Sequence, residues 1–174
     1  MNRKIIIISG KQFSGKDTVA KILLELLPDF KRIGLGDAIK IEYGKIKNLT
    51  FDEIEANKSL YRPDLIALGD KGRSQSPDFW LEKVLEQTCN IIVPDIRMPH
   101  EVKVFKANNA FSIRVESDRE QRAKRGMLIK EDDSTETLLD NITDWDYIIE
   151  NNEGYDELRE KVEKLCQTRL QLVK

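Results

Sequence analysis

The residues with the clearest chemical potential lie close together near the start of the chain: Gly10, Lys11, Ser14, Gly15, Lys16, Asp17 and Thr18. Two glycines separated by four residues, the second followed by lysine, form a loop that can wrap an anion. Glycine lets the backbone curl until several N–H groups point at one centre. A helix starting at the lysine adds its own unpaired N–H groups and the positive end of its dipole. Lys16 would then reach the outer phosphates of a bound polyphosphate as a point charge. The position after Lys16, where a hydroxyl usually helps to hold Mg²⁺, is Asp17. Either Asp17 holds the ion through water or Thr18 takes part.

A second set of candidates is spread along the chain. Asp95 ends the apolar run Asn90-Ile91-Ile92-Val93-Pro94-Asp95, and Arg97 follows two residues later. An acid at the end of a buried strand beside a phosphate loop is suited to facing Mg²⁺. Arg62, Arg73, Arg97, Arg122 and Arg125 come from three separate segments. Transfer of a phosphoryl group onto a phosphate is a reaction between two anions. It needs fixed cations to cancel repulsion and little help from a base, because the attacking oxygen is already ionised. Transfer onto a hydroxyl would need a positioned carboxylate, and Asp37 is the one obvious candidate.

The elements that must position these groups follow from pattern. Ile5-Ile6-Ile7-Ile8 reads as a strand buried on both faces. Val19, Ile22, Leu23, Leu26 and Leu27 have helical spacing, and Pro28 stops that helix. Ile33-Gly34-Leu35 reads as a short second strand, and Asp37 as the cap of the helix after it. Thr50 with Glu53 forms a capping box. A helix is expected over 61–73, and another is expected to open at Ser76-Pro77 with Ser76 as cap. Strands are expected at 90–95, 111–115 and 145–150. A short helix from Ser117 carries Arg122 and Arg125 and stops at Gly126. The polar stretch from Met127 to about Thr143 reads as an excursion over the site, and a charged amphipathic helix closes the chain. Alternating buried strands and helices predict an α/β fold, a three-layer α/β/α arrangement with a mostly parallel sheet of about five strands. The whole of 1–174 is expected to be a single P-loop kinase domain, with a lid at about 122–143.

The 174 residues carry a net charge of −2, with 40% hydrophobic and 34% charged residues. That balance argues against a general nucleic-acid binder. No apolar run reaches membrane-spanning length, and no signal peptide precedes the first strand, so a cytoplasmic monomer is expected. Cys89 and Cys166 form no metal-type pair. Asn57-Lys58-Ser59-Leu60 lacks the fourth residue of a guanine-selecting Asn-Lys-x-Asp. Asp95-Ile96-Arg97-Met98 lacks the glycine of an Asp-x-x-Gly switch. The chain is too short for the extra lobes of a motor. A kinase remains, beside a nucleotide-binding protein without turnover.

The chain resembles the animal-type phosphomevalonate kinases, a branch of the nucleoside monophosphate kinase superfamily. The likeness covers nearly the whole chain and rests on Ser9-Gly10-Lys11 with Ser14-Gly15-Lys16-Asp17, Ala38-Ile39-Lys40 with Tyr43, Arg62 through Asp64, Gly69 with Arg73, Pro77 with Phe79, Asp95 with Arg97, Arg122 with Arg125-Gly126, and Leu139-Asp140-Asn141 leading to Asp146–Asn151. The resemblance implies ATP on the loop residues, with Asn151 beside them, and Mg²⁺ facing Asp17 and Asp95. It also implies a small phosphorylated acceptor on Lys40, Arg62, Arg73 and Arg97, with Arg122 and Arg125 closing from the lid; Asp37 is expected beside that acceptor. Lys16, Arg97, Arg122 and Arg125 would be catalytic. Three positions depart from the family pattern: Gln12 and Phe13 stand where it has basic residues, and Met98 where it has a second arginine. The phage-type deoxynucleoside monophosphate kinases are similar over a shorter span: Leu68-Gly69 to Arg73, Asp78-Phe79-Trp80, and Val93-Pro94-Asp95 with Arg97 and His100-Glu101. In that family one arginine at the strand end is the pattern. His100 is read as structural. The acceptor therefore stays open between mevalonate 5-phosphate, a nucleotide and another phosphate ester.

Overall fold

The computed structural model describes residues 3–170. In chain order it contains β1 (Ile5–Ser9), α1 (Lys16–Leu26), β2 (Phe30–Arg32), α2 (Leu35–Lys47), α3 (Phe51–Ala56), α4 (Lys58–Gln75), α5 (Phe79–Leu85), β3 (Asn90–Ile96), α6 (Pro99–Ala107), β4 (Phe111–Glu116), α7 (Arg119–Arg125), α8 (Ser134–Thr137), β5 (Tyr147–Glu150) and α9 (Tyr155–Leu165), ending in a π turn over Cys166–Leu170. The chain divides into two compact units, one made of the residues up to Arg32 and from Cys89 onward, the other of Ile33–Thr88.

The first unit is built on a five-stranded sheet in the order β2-β3-β1-β4-β5, parallel throughout. β1 is central and wholly buried, which is why it can be a run of isoleucine: both faces meet apolar partners. Ile6 and Ile8 join Val19, Ile22 and Leu23 of α1 and Leu158, Val162 and Leu165 of α9 in one cluster. Ile5 and Ile7 alternate to the opposite face, where α6 packs with Phe105 buried. Each of these side chains contributes roughly 1.5–3 kcal/mol by leaving water. Helices on both faces of the sheet give the three-layer α/β/α arrangement.

The pairing of β1 with β3 is regular through Ile7↔Val93 and then shifts, so that Ser9 meets Ile96. The irregularity falls at Pro94-Asp95. Proline has no N–H to give a ladder, and a bulge is where a strand tolerates it. Such a bulge re-aims the neighbouring side chain, here Asp95.

The second unit is four helices, α2 to α5. Trp80 lies against the α4 backbone and donates its indole N–H to the Gly69 carbonyl at 2.9 Å. A Cβ on Gly72 would come within 2.6 Å of that ring, so close approach requires glycine there. Thr50 and Glu53 form the expected capping box, with Glu53 N–H on Thr50 Oγ1 at 3.2 Å and Thr50 N–H on the Glu53 carboxylate at 2.7 Å.

Several local expectations need correcting. The second strand is Phe30–Arg32, in the first unit, rather than 33–35. Gly34 already stands at the cap of α2, and Asp37 is its third residue rather than its cap. The Asp37 carboxylate reaches back to accept the Gly34 N–H at 2.9 Å. α5 begins at Phe79 rather than at Pro77, because the Ser76 hydroxyl accepts the Asp78 N–H and shapes a turn ahead of the helix. α4 starts at Lys58, three residues earlier than expected, and carries Pro63 near its start.

Candidate active site

The loop between β1 and α1 is fixed by close approaches that only glycine permits. Gly15 has φ +102°, and a Cβ there would lie 2.3 Å from the Asn151 amide nitrogen. Asn151 donates that amide to the Ser14 carbonyl at 2.8 Å and is itself buried. A Cβ on Gly10 would meet Ser14 Oγ at 2.4 Å and the Val115 carbonyl at 2.6 Å. Phe13 also adopts a left-handed φ of 58°, an uncommon conformation for a bulky residue. Its ring covers Gly126, where a Cβ would lie 2.2 Å from it. Ser14 Oγ is buried without a hydrogen-bond partner.

Lys16 opens α1 and turns back over the loop, 3.4 Å from the Lys11 carbonyl. Burial pushes its pKa below the usual lysine range; Asp17 opposes that shift, Arg97 adds to it, and Glu136 and Asp95 oppose it. Lys16, Asp17, Asp95, Arg97 and Glu136 therefore share one electrostatic environment. Asp17 is well exposed, with Arg32 3.8 Å away. Arg97 is held by its backbone: Glu101 accepts the N–H groups of Arg97 and Met98 at 2.8 and 3.0 Å. Burial raises the Glu101 pKa, and those two N–H groups oppose the rise.

The stretch after β4 lies on the same loop. Arg122 is buried, with Nη1 3.4 Å from the Gln12 carbonyl and Nη2 3.2 Å from Glu131; its Nε has no partner. Arg125 donates to the carbonyls of Phe13 at 3.3 Å and Asn151 at 2.9 Å, and to the Ser117 hydroxyl at 3.1 Å. Lys11 pairs with Asp140 at 2.7 Å. A space of about 440 Å³ opens beside this arrangement, lined by Phe13, Lys16, Asp17, Thr18, Arg125 and Met127 among others.

Four of the expected acceptor residues lie in the helical unit. Lys40 is a nearly buried ion bridging Asp37, at 3.0 Å, and Glu55. Burial alone would lower its pKa, but the bonds to Glu55 and Asp37 hold it above the ordinary lysine value. Asp37 is thus engaged by Gly34 and Lys40. Arg62 and Arg73 are eleven residues apart on α4, three turns on one face, about 16 Å along the axis. Arg73 reaches Asp70 at 2.7 Å, and both arginines are exposed.

Two residues near the loop have no forecast role in the sequence. Arg114 is buried, donating to Ser9 Oγ and to Asp140, both at 3.1 Å. Glu136 is buried against the Gln12 N–H at 2.8 Å and Arg97 at 3.3 Å. Asp133-Ser134 ahead of Glu136 is a helix-start signal, which would have placed a turn there but not its contacts.

Asp95 and Asp17, with Thr18, are oxygen donors of the kind Mg²⁺ takes when it keeps water and phosphate as its other ligands. Among the described residues no group of three or more acidic, histidine or cysteine side chains could hold a metal by itself.

A family model for phosphomevalonate kinase matches residues 8–111, and one for deoxynucleotide monophosphate kinase matches 75–162. The phosphomevalonate kinase of Drosophila melanogaster is 28% identical over 172 residues, covering 88% of this chain and 91% of that one. Two solved structures share the fold. Shikimate kinase from Acinetobacter baumannii has a TM-score of 0.55 at 18% identity, over 97% of this chain and 94% of its own. Shikimate kinase from Aquifex aeolicus vf5 has 0.52 at 15%, over 96% and 98%. The first family match takes in the loop, the α4 arginines, Asp95 and Arg97 together, and it places the chain in the phosphomevalonate kinase family, as an ATP-dependent kinase acting on a phosphorylated small metabolite.

Proposed function

We propose that the chain transfers the γ-phosphoryl group of MgATP to the phosphate of its acceptor, and that mevalonate 5-phosphate is the first acceptor to test. The observation that carries the phosphate-to-phosphate reading is the state of Asp37. It is occupied by the Gly34 N–H and by Lys40, so it does not serve as a free base for a hydroxyl acceptor. Cations are plentiful instead, and a phosphate nucleophile needs cations rather than a base.

In this reading Gly10, Lys11, Ser14, Gly15, Lys16, Thr18 and Asn151 shape the donor site. Lys16 neutralises charge on the transferring group, and Arg97 and Arg122 hold it from the sides. Asp17 and Asp95 would hold Mg²⁺, which would neutralise charge on the triphosphate when bound. Arg125 joins the loop to the turn after β5 through the Phe13 and Asn151 carbonyls. Lys40, Arg62 and Arg73 serve the acceptor. The stretch from Arg122 to about residue 143 acts as a lid that keeps water from the transferring group.

A specific observation favours a second acceptor class. The Gln12 side chain is spent on the Ile129 backbone, through its nitrogen at 2.7 Å and its oxygen at 3.2 Å. It offers no charge to a second acidic group such as the mevalonate carboxylate, which suits a deoxynucleoside monophosphate. ADP release from MgATP is the test, with mevalonate 5-phosphate and each nucleoside and deoxynucleoside monophosphate as acceptor. One acceptor should raise release well above the acceptor-free rate and slow hydrogen exchange across 126–143. Silence over the whole panel, with ATP still bound, would favour nucleotide binding without turnover.

A further inference from the structure

We propose that the Glu136 carboxylate is a built-in stand-in for a phosphoryl group, seated on the loop until a polyphosphate displaces it. The inference rests on the reading of the β1–α1 loop as a phosphate site. Two donors converge on this one side chain, and a further cation lies within its electrostatic reach. Its Oε2 accepts the Gln12 backbone N–H at 2.8 Å, and its Oε1 faces the Arg97 guanidinium at 3.3 Å. The Glu136 charge also acts on Lys16, opposing, after Asp17, the lowering of its pKa by burial. A loop N–H, a guanidinium and an ammonium are what a phosphoryl oxygen would use. The carboxylate is only 4% exposed, and a buried charge persists only where such partners compensate it.

Glu136 cannot stay there as a bystander once a triphosphate arrives. It would be a like charge inside the anion site, where low polarity magnifies repulsion. Its support is suited to leaving. It rides on α8, a single turn between residues of irregular backbone. Apart from Glu136 itself, this stretch is tied down by the Gln12 amide pair with Ile129, by Glu131 with Arg119 and Arg122, by Asp140 with Lys11 and Arg114, and by the buried Leu139. The carboxylates of those ion pairs are about a third exposed, and partly solvated pairs yield at small cost when a segment opens locally. In the resting protein, then, the loop is kept in its anion-binding shape and its cations are neutralised. The incoming phosphate competes with an internal ligand, and apparent affinity falls in proportion to the time that ligand is seated.

The test uses the full chain and inorganic tripolyphosphate, followed by titration calorimetry. Glu136→Gln keeps the size and can still accept the Gln12 N–H, but removes the charge. If the carboxylate is seated nine times in ten, the variant should bind tripolyphosphate about tenfold more tightly than the native chain. Equal or weaker binding overturns the proposal. The native protein supplies a second measurement that does not depend on the variant folding. Tripolyphosphate alone should quicken amide exchange across 129–140 as the carboxylate is expelled; slower or unchanged exchange counts against the proposal. If the native chain binds neither ATP nor tripolyphosphate, the phosphate-site reading fails and takes this inference with it. If it binds both and the variant behaves identically, only the role of Glu136 is lost.

Discussion

The cations of the two units are kept in different ways. Around the β1–α1 loop, Lys16, Arg97, Arg122 and Arg125 each lie against a carbonyl or carboxylate, and Arg122 is buried. On α4 of the helical unit, Arg62 and Arg73 stand exposed, Arg73 tied only to Asp70 one turn away. The first set is preorganised: Lys16 is half-buried and Arg122 buried, while the exposed Arg125 and the part-exposed Arg97 are held by bonds to distant segments, so little rearrangement is needed as charge develops on a transferring group. The second set is hydrated, which suits capture of an acceptor more than its activation. Lys40 departs from that division. It lies in the helical unit yet is nearly buried between Asp37 and Glu55, and so has the character of a structural ion.

The comparison is most sharply tested at Lys16. Lys16→Ala should lower kcat by about a hundredfold or more, the scale of losing one preorganised charge at a transition state, with the circular dichroism spectrum unchanged. A collapsed spectrum would mean that Lys16 is a packing residue. An intermediate effect is expected on the other side of the comparison. Arg62→Ala should raise the acceptor KM by about tenfold, the value of one charge-assisted hydrogen bond, and leave kcat within a few-fold. A loss confined to kcat would show that the exposed arginine is catalytic and that the division fails.

The smallest effect concerns the frame of the helical unit. Tyr43 donates its hydroxyl to Asp64 at 2.7 Å, and that bond pushes its pKa up to about 12, with burial adding to the rise. The folded pKa lies above the unfolded value of 10.0, so the contribution is complete below pH 10 and lost as pH climbs toward about 12. Tyr43→Phe should lower Tm by a few degrees at pH 8. The gap from the native protein should narrow in melts above pH 10. A gap independent of pH would mean that the hydroxyl bond contributes nothing.

Much of the first unit was legible because its signals are local. Four isoleucines admit a strand buried on both faces, and glycines at 10 and 15 ahead of Lys16 admit a loop that curls before a helix. The helical unit was read less well at its ends, since Asp37 and Ser76 are good caps in principle, but each serves a neighbouring turn instead. Arg114 shows the same limit. A strand arginine reads as a surface charge, yet it is buried against Ser9 and Asp140, partners 105 and 26 residues away. It would be a poor neutral control for the arginines of α7.

By itself the sequence determined the parallel α/β fold, the glycine loop ahead of Lys16 and which residues can carry charge, because strand burial, glycine torsion and residue charge are properties of short stretches. Only the tertiary structure decided which charges are spent. Asp37 went to a helix start, the Gln12 amide to Ile129 and the Glu136 carboxylate to the loop, because hydrogen bonds between distant segments depend on where the chain returns, and no local pattern records that.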